Sequence, residues 1–428
     1  MVLYWTSATL ELMKFQTDVH EGATTMSKTT RVLLYSHDSQ GLGHARRNLA
    51  IAHALARRLP EITGGEVSGL IVSGLPRSAE FPLPAGFDWI TIPGIAKGSS
   101  GYQPRSLSGD FASVVKLRSQ LLAAAMLGFE PDLVIVDRHI LGVAEELRSP
   151  LMQLREHCPN TRIVLGLREV LDEPEVAAKE WARLGDPERL LDFIDEVWVY
   201  GDPVIHDPFA SGEIPATLRE RARFTGFLAK DRPGVPEEEN LSDSPFVLTT
   251  VGGGSDGYDL LHTAVAMTPP AGHEHVVVTG PQLSDAEFNA IRAEAPAGTR
   301  VLRTWPGLAH QIGEAAAVIS MAGYNTTCEI LATSTPALLV PREVPRKEQL
   351  IRARALERAG AIDHIRWDEI TPEALSDWAA RAVTTRIDRD LVRVDGLAAV
   401  ADIAADLLER ARVDLLDPQT GVELVTVA

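Results

Sequence analysis

Residues 36–48, SHDSQGLGHARRN, place a histidine among glycines and arginines directly after an apolar run, and residues 320–330, SMAGYNTTCEI, place Gly323, Asn325 and Glu329 after another. Glycines at such junctions let the chain turn tightly into a helix whose first N–H groups are free and whose dipole is positive at that end. An anion, or a hydroxyl reacting beside one, can sit there. His44 lies near the start of the first helix, where the dipole disfavours imidazolium, which makes it a candidate general base. Asp137 and Glu169, each at or just after an apolar run, are the alternatives for that role, while Arg138 and Arg168 are candidates for an anionic partner. A third turn, VGGGSDGYDLL (251–261), contains GxGxxG as Gly252, Gly254 and Gly257, the pattern of a dinucleotide site. A nicotinamide enzyme needs an acid at the end of the next strand to hold the ribose, and HVVVTG (275–280) ends in Thr279 and Gly280. That weakens the dehydrogenase reading. GxxxxGK[ST], HExxH and GxSxG do not occur, and the Asp388/Asp390 pair does not follow a buried run, so no metal site and no cofactor is expected.

These residues need a scaffold that gathers strand ends. From Arg31 onward short apolar runs alternate with helical patterns, as in parallel sheets covered on both faces. RVLLYS (31–36), LVIVD (133–137), RIVLGL (162–167) and EVWVYG (196–201) form one series; FVLTTV (246–251), HVVVTG (275–280), AAVIS (316–320) and PALLVP (336–341) form another. The spacing predicts two Rossmann-like α/β domains facing each other across a cleft, with chemistry beyond the carboxyl ends of the strands. Expected boundaries are a flexible extension over 1–29, an amino-terminal domain over 30–228, a Pro- and acid-rich linker over 229–245, a carboxyl-terminal domain over 246–394, a helix over 395–412 able to return to the first domain, and a tail over 413–428.

A length of 428 residues favours two domains. A formal net charge of −18 argues against general affinity for nucleic acid or anionic lipid. Two distant cysteines, Cys158 and Cys328, suggest neither a disulfide framework nor zinc, and a reducing cytoplasm fits. No run reaches the length needed to span a bilayer. The stretch 111–129 is expected to be a core helix, with contact at the inner face of a membrane as its alternative.

The second half resembles the carboxyl-terminal domain of family 28 glycosyltransferases, the MurG-like enzymes of GT-B architecture. GGSDG (253–257) is similar to that family's GGSQG loop with Asp256 in place of glutamine, and SMAGYNTTCEILATSTPALLVP is similar to its strand, glycine and helix segment. PREVPRKEQ (341–349) resembles the stretch after the next strand. The resemblance implies that Glu329 holds ribose hydroxyls, that amides around Ala322, Gly323, Tyr324 and Asn325 face a diphosphate, and that Gly253, Gly254 and Ser255 lie at the donor's phosphate or ribose. It places Pro306, Gly307 and Leu308 beside the base, and Arg342 and Gln349 at the donor. GLGHARRN is similar to the family's GGHxxP turn: Gly43 and His44 match, and Arg47 replaces the proline. The chain also resembles a bacterial glycosyltransferase group whose members begin YSHD…GLGH, which implies no particular acceptor.

The resemblance therefore implies an inverting, metal-independent transfer from a nucleotide sugar, UDP-linked, to an acceptor left open, a lipid-linked one included. Acceptor-side candidates are Gly43, Arg47, Arg138 and Arg168, and Arg342, Arg346 or Lys347 would offset charge on the departing diphosphate. A nucleotide-sugar epimerase or hydrolase, and a non-catalytic nucleotide-sugar binder, stay open as alternatives.

Overall fold

The computed structural model describes residues 29–37, 42–75, 81–98, 101–234, 244–254 and 256–413. Ser255, Gly41, the expected amino-terminal extension up to residue 28, most of the expected linker and the tail from 414 lie outside the described residues.

The first lobe is built on β1 (Thr30–Tyr35), β2 (Val67–Ser73), β3 (Phe87–Thr91), the hairpin β4 (Ile95–Gly98) and β5 (Gly101–Pro104), then β6 (Leu133–Asp137), β7 (Arg162–Arg168), β8 (Glu196–Tyr200) and β9 (Ala222–Phe224). Its helices are α1 (Gly43–Thr63), α2 (Phe111–Phe129), α3 (Arg148–His157), α4 (Pro174–Ala182) and α5 (Pro187–Leu190). The second lobe has β10 (Phe246–Thr250), β11 (Glu274–Val278), β12 (Thr299–Leu302), β13 (Ala317–Ser320), β14 (Ala337–Leu339) and β15 (Asp363–His364). With them come α6 (Tyr258–Val265), α7 (Asp285–Glu294), α8 (Leu308–Glu314), α9 (Tyr324–Leu331), α10 (Glu348–Arg358) and α11 (Pro372–Ala382). A last helix, α12 (Gly396–Val413), follows.

Strand order is β3-β2-β1-β6-β7-β8-β9 in one sheet and β12-β11-β10-β13-β14-β15 in the other, and every neighbouring pair in both is parallel. The direction of winding reverses between β1 and β6 and again between β10 and β13, and the sheets open a crevice at those points. Period-two alternation sorts the first sheet's side chains. Val32, Leu34, Ile135, Val164 and Trp198 pack with Leu49, Leu55 and Leu59 of α1, while Leu33, Val134, Val136 and Leu165 pack on the opposite face with Leu122 and Leu151. Each of these buried aliphatic side chains contributes about 1.5–3 kcal/mol.

The first of those faces continues into the second lobe, so one apolar core joins Leu34 and Leu55 to Leu248, Leu339 and Leu356. Helix α12 returns to the first lobe, with Leu397, Val400 and Leu407 in the same core and Asp402 accepting from Arg58 at 2.7 Å. Helix α1 has no side-chain cap and no acid in its first turn, which leaves its amino-terminal N–H groups free. It stops at Gly64, whose left-handed φ of 69° returns an N–H to the Pro60 carbonyl.

Helix α2 departs from the expected core helix. Only Val114, Arg118, Leu122 and Met126 face inward, Leu117 and Leu121 are exposed, and 22% of its apolar window is buried. The inward arginine is possible because Arg118 and Tyr35 both bond Glu146 in a fully buried group. Among the described residues α2 alone has the length and apolar character of a membrane-crossing helix.

Candidate active site

Asp137 ends β6 at the first winding reversal and points at the amino-terminal turn of α1. His44 Nδ1 lies 2.6 Å from its Oδ2, and Arg47 one turn later reaches both carboxylate oxygens at 2.5 and 2.7 Å. Asp137 is fully buried and Arg47 nearly so, whereas the His44 side chain keeps 26% exposure. Burial pushes the Asp137 carboxyl upward, and the Arg47 and His44 charges with their hydrogen bonds overcome it, leaving the group far below the usual carboxylate range. An ionised carboxylate only accepts, so the short contact fixes the imidazole proton on Nδ1. Arg47 Nη2 also stands 3.0 Å from Nδ1, but two donors cannot bond each other. Nε2 is left as the basic nitrogen, on a side chain that still meets solvent.

Two more imidazoles surround this pair. The His37 ring lies 5.0 Å from that of His44 and 5.1 Å from that of His139. Burial first, then the neighbouring His44, lowers His37 to about 3, and burial with Arg138 lowers His139, so both are neutral near pH 7.

Apart from Arg168, the remaining first-lobe candidates are engaged with other partners, which bears on several expectations. Glu169 is buried against Arg352 of α10 and bonded to it, so neither it nor Asp137 presents a free carboxylate to act as base. Arg138, at a positive φ of 71°, donates to Glu180 at 2.6 Å. Arg47, expected on the acceptor side, is buried and committed to Asp137. Arg168 is brought to the same strand ends without a bonded carboxylate partner among the described residues.

In the second lobe the glycine turn after β10 is built for loop packing. A Cβ on Gly254, at φ 92°, would lie 2.4 Å from the Thr279 carbonyl, and one on Gly280, at φ 83°, 2.5 Å from the Gly252 carbonyl. Helix α9 starts at Gly323 without a side-chain cap, and the space in front of Gly323 is open. Its first N–H groups and dipole face the crevice. Ala322 gives its carbonyl to Arg352 Nη1 at 2.9 Å. Gly253 bonds Gln282 through its carbonyl at 2.9 Å. Pro306 is exposed, and Gly307 and Leu308 are half-buried at the start of α8, beside the buried Trp305. Gln349 is buried and accepts from the Arg342 backbone at 3.3 Å.

Other donor-side candidates bond the first lobe instead of standing free. Tyr324 is buried and its hydroxyl donates to the Tyr200 carbonyl at 2.9 Å, with Arg47 and Arg352 stacked on its ring at 5.6 and 5.5 Å. Asn325 donates to the Gly43 carbonyl at 3.0 Å and accepts from Arg232 at 2.9 Å. Glu329, 4% exposed, accepts from Arg46 at 2.5 Å. The expected diphosphate cations are paired as well: Arg342 with Glu348, Arg346 with Glu180 and Asp172, and Lys347 with Glu173. Glu180, Arg232 and Arg352 were not singled out as site residues from the sequence, because nothing local marks partners 42 to 183 positions away.

A cleft between two Rossmann-like lobes, with a histidine–carboxylate pair on one wall and a free helix amino terminus on the other, defines a class: a glycosyltransferase of GT-B architecture. Residues 248–386 match the glycosyltransferase family 28 C-terminal domain, and the second lobe is a MurG-like domain of that family. The UDP-N-acetylglucosamine–N-acetylmuramyl-(pentapeptide) pyrophosphoryl-undecaprenol N-acetylglucosamine transferase of Exiguobacterium sp. is 25% identical over 381 residues, 86% of this chain and 96% of that protein. Its Gloeobacter violaceus counterpart is 34% identical over 121 residues, 27% of this chain and 33% of that one. Among solved structures, the calicheamicin glycosyltransferase CalG4 superposes with a TM-score of 0.57 at 16% identity, over 91% of this chain and all of that one. Glycosyltransferase VinC, in complex with dTDP, gives 0.56 at 17% over 89% and 99%. Both likenesses bear on the fold.

Proposed function

We propose that the protein transfers a sugar from a UDP-linked donor to an acceptor hydroxyl or amine with inversion at the anomeric carbon. The observation that carries this reading is the His44–Asp137 pair at the start of α1, which the Asn325–Gly43 hydrogen bond brings beside the amino terminus of α9. In this reading residues 246–394 hold the donor and residues 30–228 the acceptor. His44 Nε2 takes the acceptor's proton as its oxygen or nitrogen bonds the anomeric carbon, and the bond to the diphosphate oxygen breaks on the opposite face. Free N–H groups and the dipole of α9 stabilise the charge that develops on UDP, so the scheme needs no metal. Glu329 receives the ribose hydroxyls after releasing Arg46.

The curated relatives are named for transfer of N-acetylglucosamine to a lipid-linked muramyl peptide, and we extend to this chain the UDP-linked donor. A lipid-linked acceptor is a finer reading, supported by the exposed Leu107, Leu117 and Leu121 at and beside α2.

A thermal-shift panel of nucleotides and nucleotide sugars tests the donor assignment. A ligand at 100 times its Kd stabilises by about 2.7 kcal/mol. A melting temperature unmoved by UDP and UDP-sugars would remove the donor assignment. Rapid acceptor-free turnover of a UDP-sugar would support an epimerase or hydrolase instead.

A further inference from the structure

Arg168 ends β7 in register with Tyr200, and it shares a sheet face with Val164 and Gly166. That face is also Asp137's: Asp137 pairs with Gly166 in the adjacent strand, and the Tyr200 hydroxyl lies over Gly166, where a Cβ would sit 2.1 Å from it. Arg168 therefore stands in the row of strand ends beside the His44–Asp137 pair, facing α1 and the second lobe.

Its neighbours Arg47, Arg138 and Arg352 each have a carboxylate of their own, in Asp137, Glu180 and Glu169. Arg168 has none among the described residues. Its Nε is wholly buried without a hydrogen-bond partner, while the residue as a whole keeps partial exposure, so the outer nitrogens are the reachable part. Across the crevice Glu348 directs one oxygen to Arg342 and leaves the other buried and unpartnered, without closing on Arg168. Burial first, then the Arg352, Arg47 and Arg138 charges, lower Arg168 to about 10 against the opposing charge of Glu348, so it still carries its proton at neutral pH. A largely buried cation that no carboxylate bonds is costly, and a site that keeps one beside an unclosed Glu348 is prepared for an anion that arrives with a ligand.

We propose that Arg168 is an anion-binding residue on the cleft floor, contributed by the first lobe, which receives a phosphate-type group of a substrate. This rests on the reading of the cleft as the transfer site. The phosphate can belong to the donor's diphosphate or to a phosphorylated acceptor.

Isothermal titration of UDP, uridine and inorganic pyrophosphate against the wild-type chain, Arg168→Gln and Arg168→Lys separates these sources. A donor phosphate predicts that Arg168→Gln weakens UDP about 10- to 100-fold, leaves uridine unchanged, and is largely rescued by Arg168→Lys. An acceptor phosphate predicts unchanged UDP binding, with loss of the pyrophosphate that binds wild-type protein already saturated with UDP. Unchanged affinities for both UDP and pyrophosphate in a folded Arg168→Gln would overturn the proposal. Absence of UDP and uridine binding to the wild-type chain would instead count against the donor reading, and the pyrophosphate arm would still test Arg168.

Discussion

Replacing Asp137 by asparagine tests the proposed base more sharply than replacing the base itself. The carboxylate is fully buried, holds Arg47 at 2.5 and 2.7 Å, and holds His44 Nδ1 at 2.6 Å. An asparagine of the same shape offers one carbonyl oxygen, which the Arg47 guanidinium will take, and turns its NH2 toward Nδ1. The imidazole then accepts at Nδ1, carries its proton on Nε2, and cannot receive one from an acceptor. General-base assistance is worth about 10²–10⁴ in rate, or about 2.7–5.4 kcal/mol at 1.36 kcal/mol per decade. We expect kcat to fall by that factor in Asp137→Asn, with the Kd for UDP changed less than twofold because the donor is held by the other lobe. Arg47 loses its counter-charge in this variant, and breaking a buried pair costs about 3–5 kcal/mol, so circular dichroism and a melting curve accompany the kinetics. His44→Ala supplies the control, since it leaves the Arg47–Asp137 pair intact. It should lose a similar factor in kcat with little loss of stability, and the double variant should lose no more than either alone. A His44→Ala protein that keeps kcat within threefold of wild type would refute the assignment.

Three further outcomes follow from the same structure. Glu329→Ala should weaken UDP binding at least tenfold while leaving the fold intact, read by titration calorimetry; unchanged affinity would remove Glu329 from the donor site. Arg352→Met, which strands the buried Glu169 and frees the Ala322 carbonyl, should cost about 3–5 kcal/mol in urea denaturation, a larger loss than Arg366→Met at the exposed Glu343 pair. Buried His37 and His275, both lowered to about 3, are neutral in the fold and charged when unfolded at low pH. They carry no pH-linked cost above about pH 6.5; as pH falls from there toward 3 only the unfolded chain takes up these protons, and stability drops by up to about 1.4 kcal/mol per pH unit for each histidine. His275→Leu should reduce the slope of stability against pH over that window.

The central strands were legible because parallel strands covered on both faces read as continuous runs of valine, isoleucine and leucine. LVIVD and PALLVP show this, and the observed β6 and β14 fall within them. The strands not anticipated are mostly at sheet edges, such as β3 (FDWIT), β12 (TRVL) and β15 (DH), where one flank is open and polar residues are tolerated. Within the site, the glycine turns and the start of α9 were legible because each is local in sequence. The pairings that decide what each group does were not. Asp137 meets Arg47 across 90 positions, Glu169 meets Arg352 across 183 and Arg46 meets Glu329 across 283, so carboxylates that looked interchangeable as bases have separate duties. Helix α2 misled in the opposite direction. Its apolar spacing suggested a core face, but its inward row holds a charged Arg118, and Leu117 and Leu121 face outward.

In the proposed scheme the contact between Arg46 and Glu329 offsets the usual effect of salt. Arg46 occupies Oε1 of Glu329, so in the proposed scheme a ribose that takes both carboxylate oxygens competes with the bond that ties the first lobe's α1 to α9. Ordinary anionic ligands bind more weakly as ionic strength rises. Here the same ions also loosen the partly exposed pair that keeps the ribose position filled, and the two effects oppose each other. Donor affinity should therefore be unusually flat against salt, and donor should bind before acceptor, because only a nucleotide can take the carboxylate from Arg46.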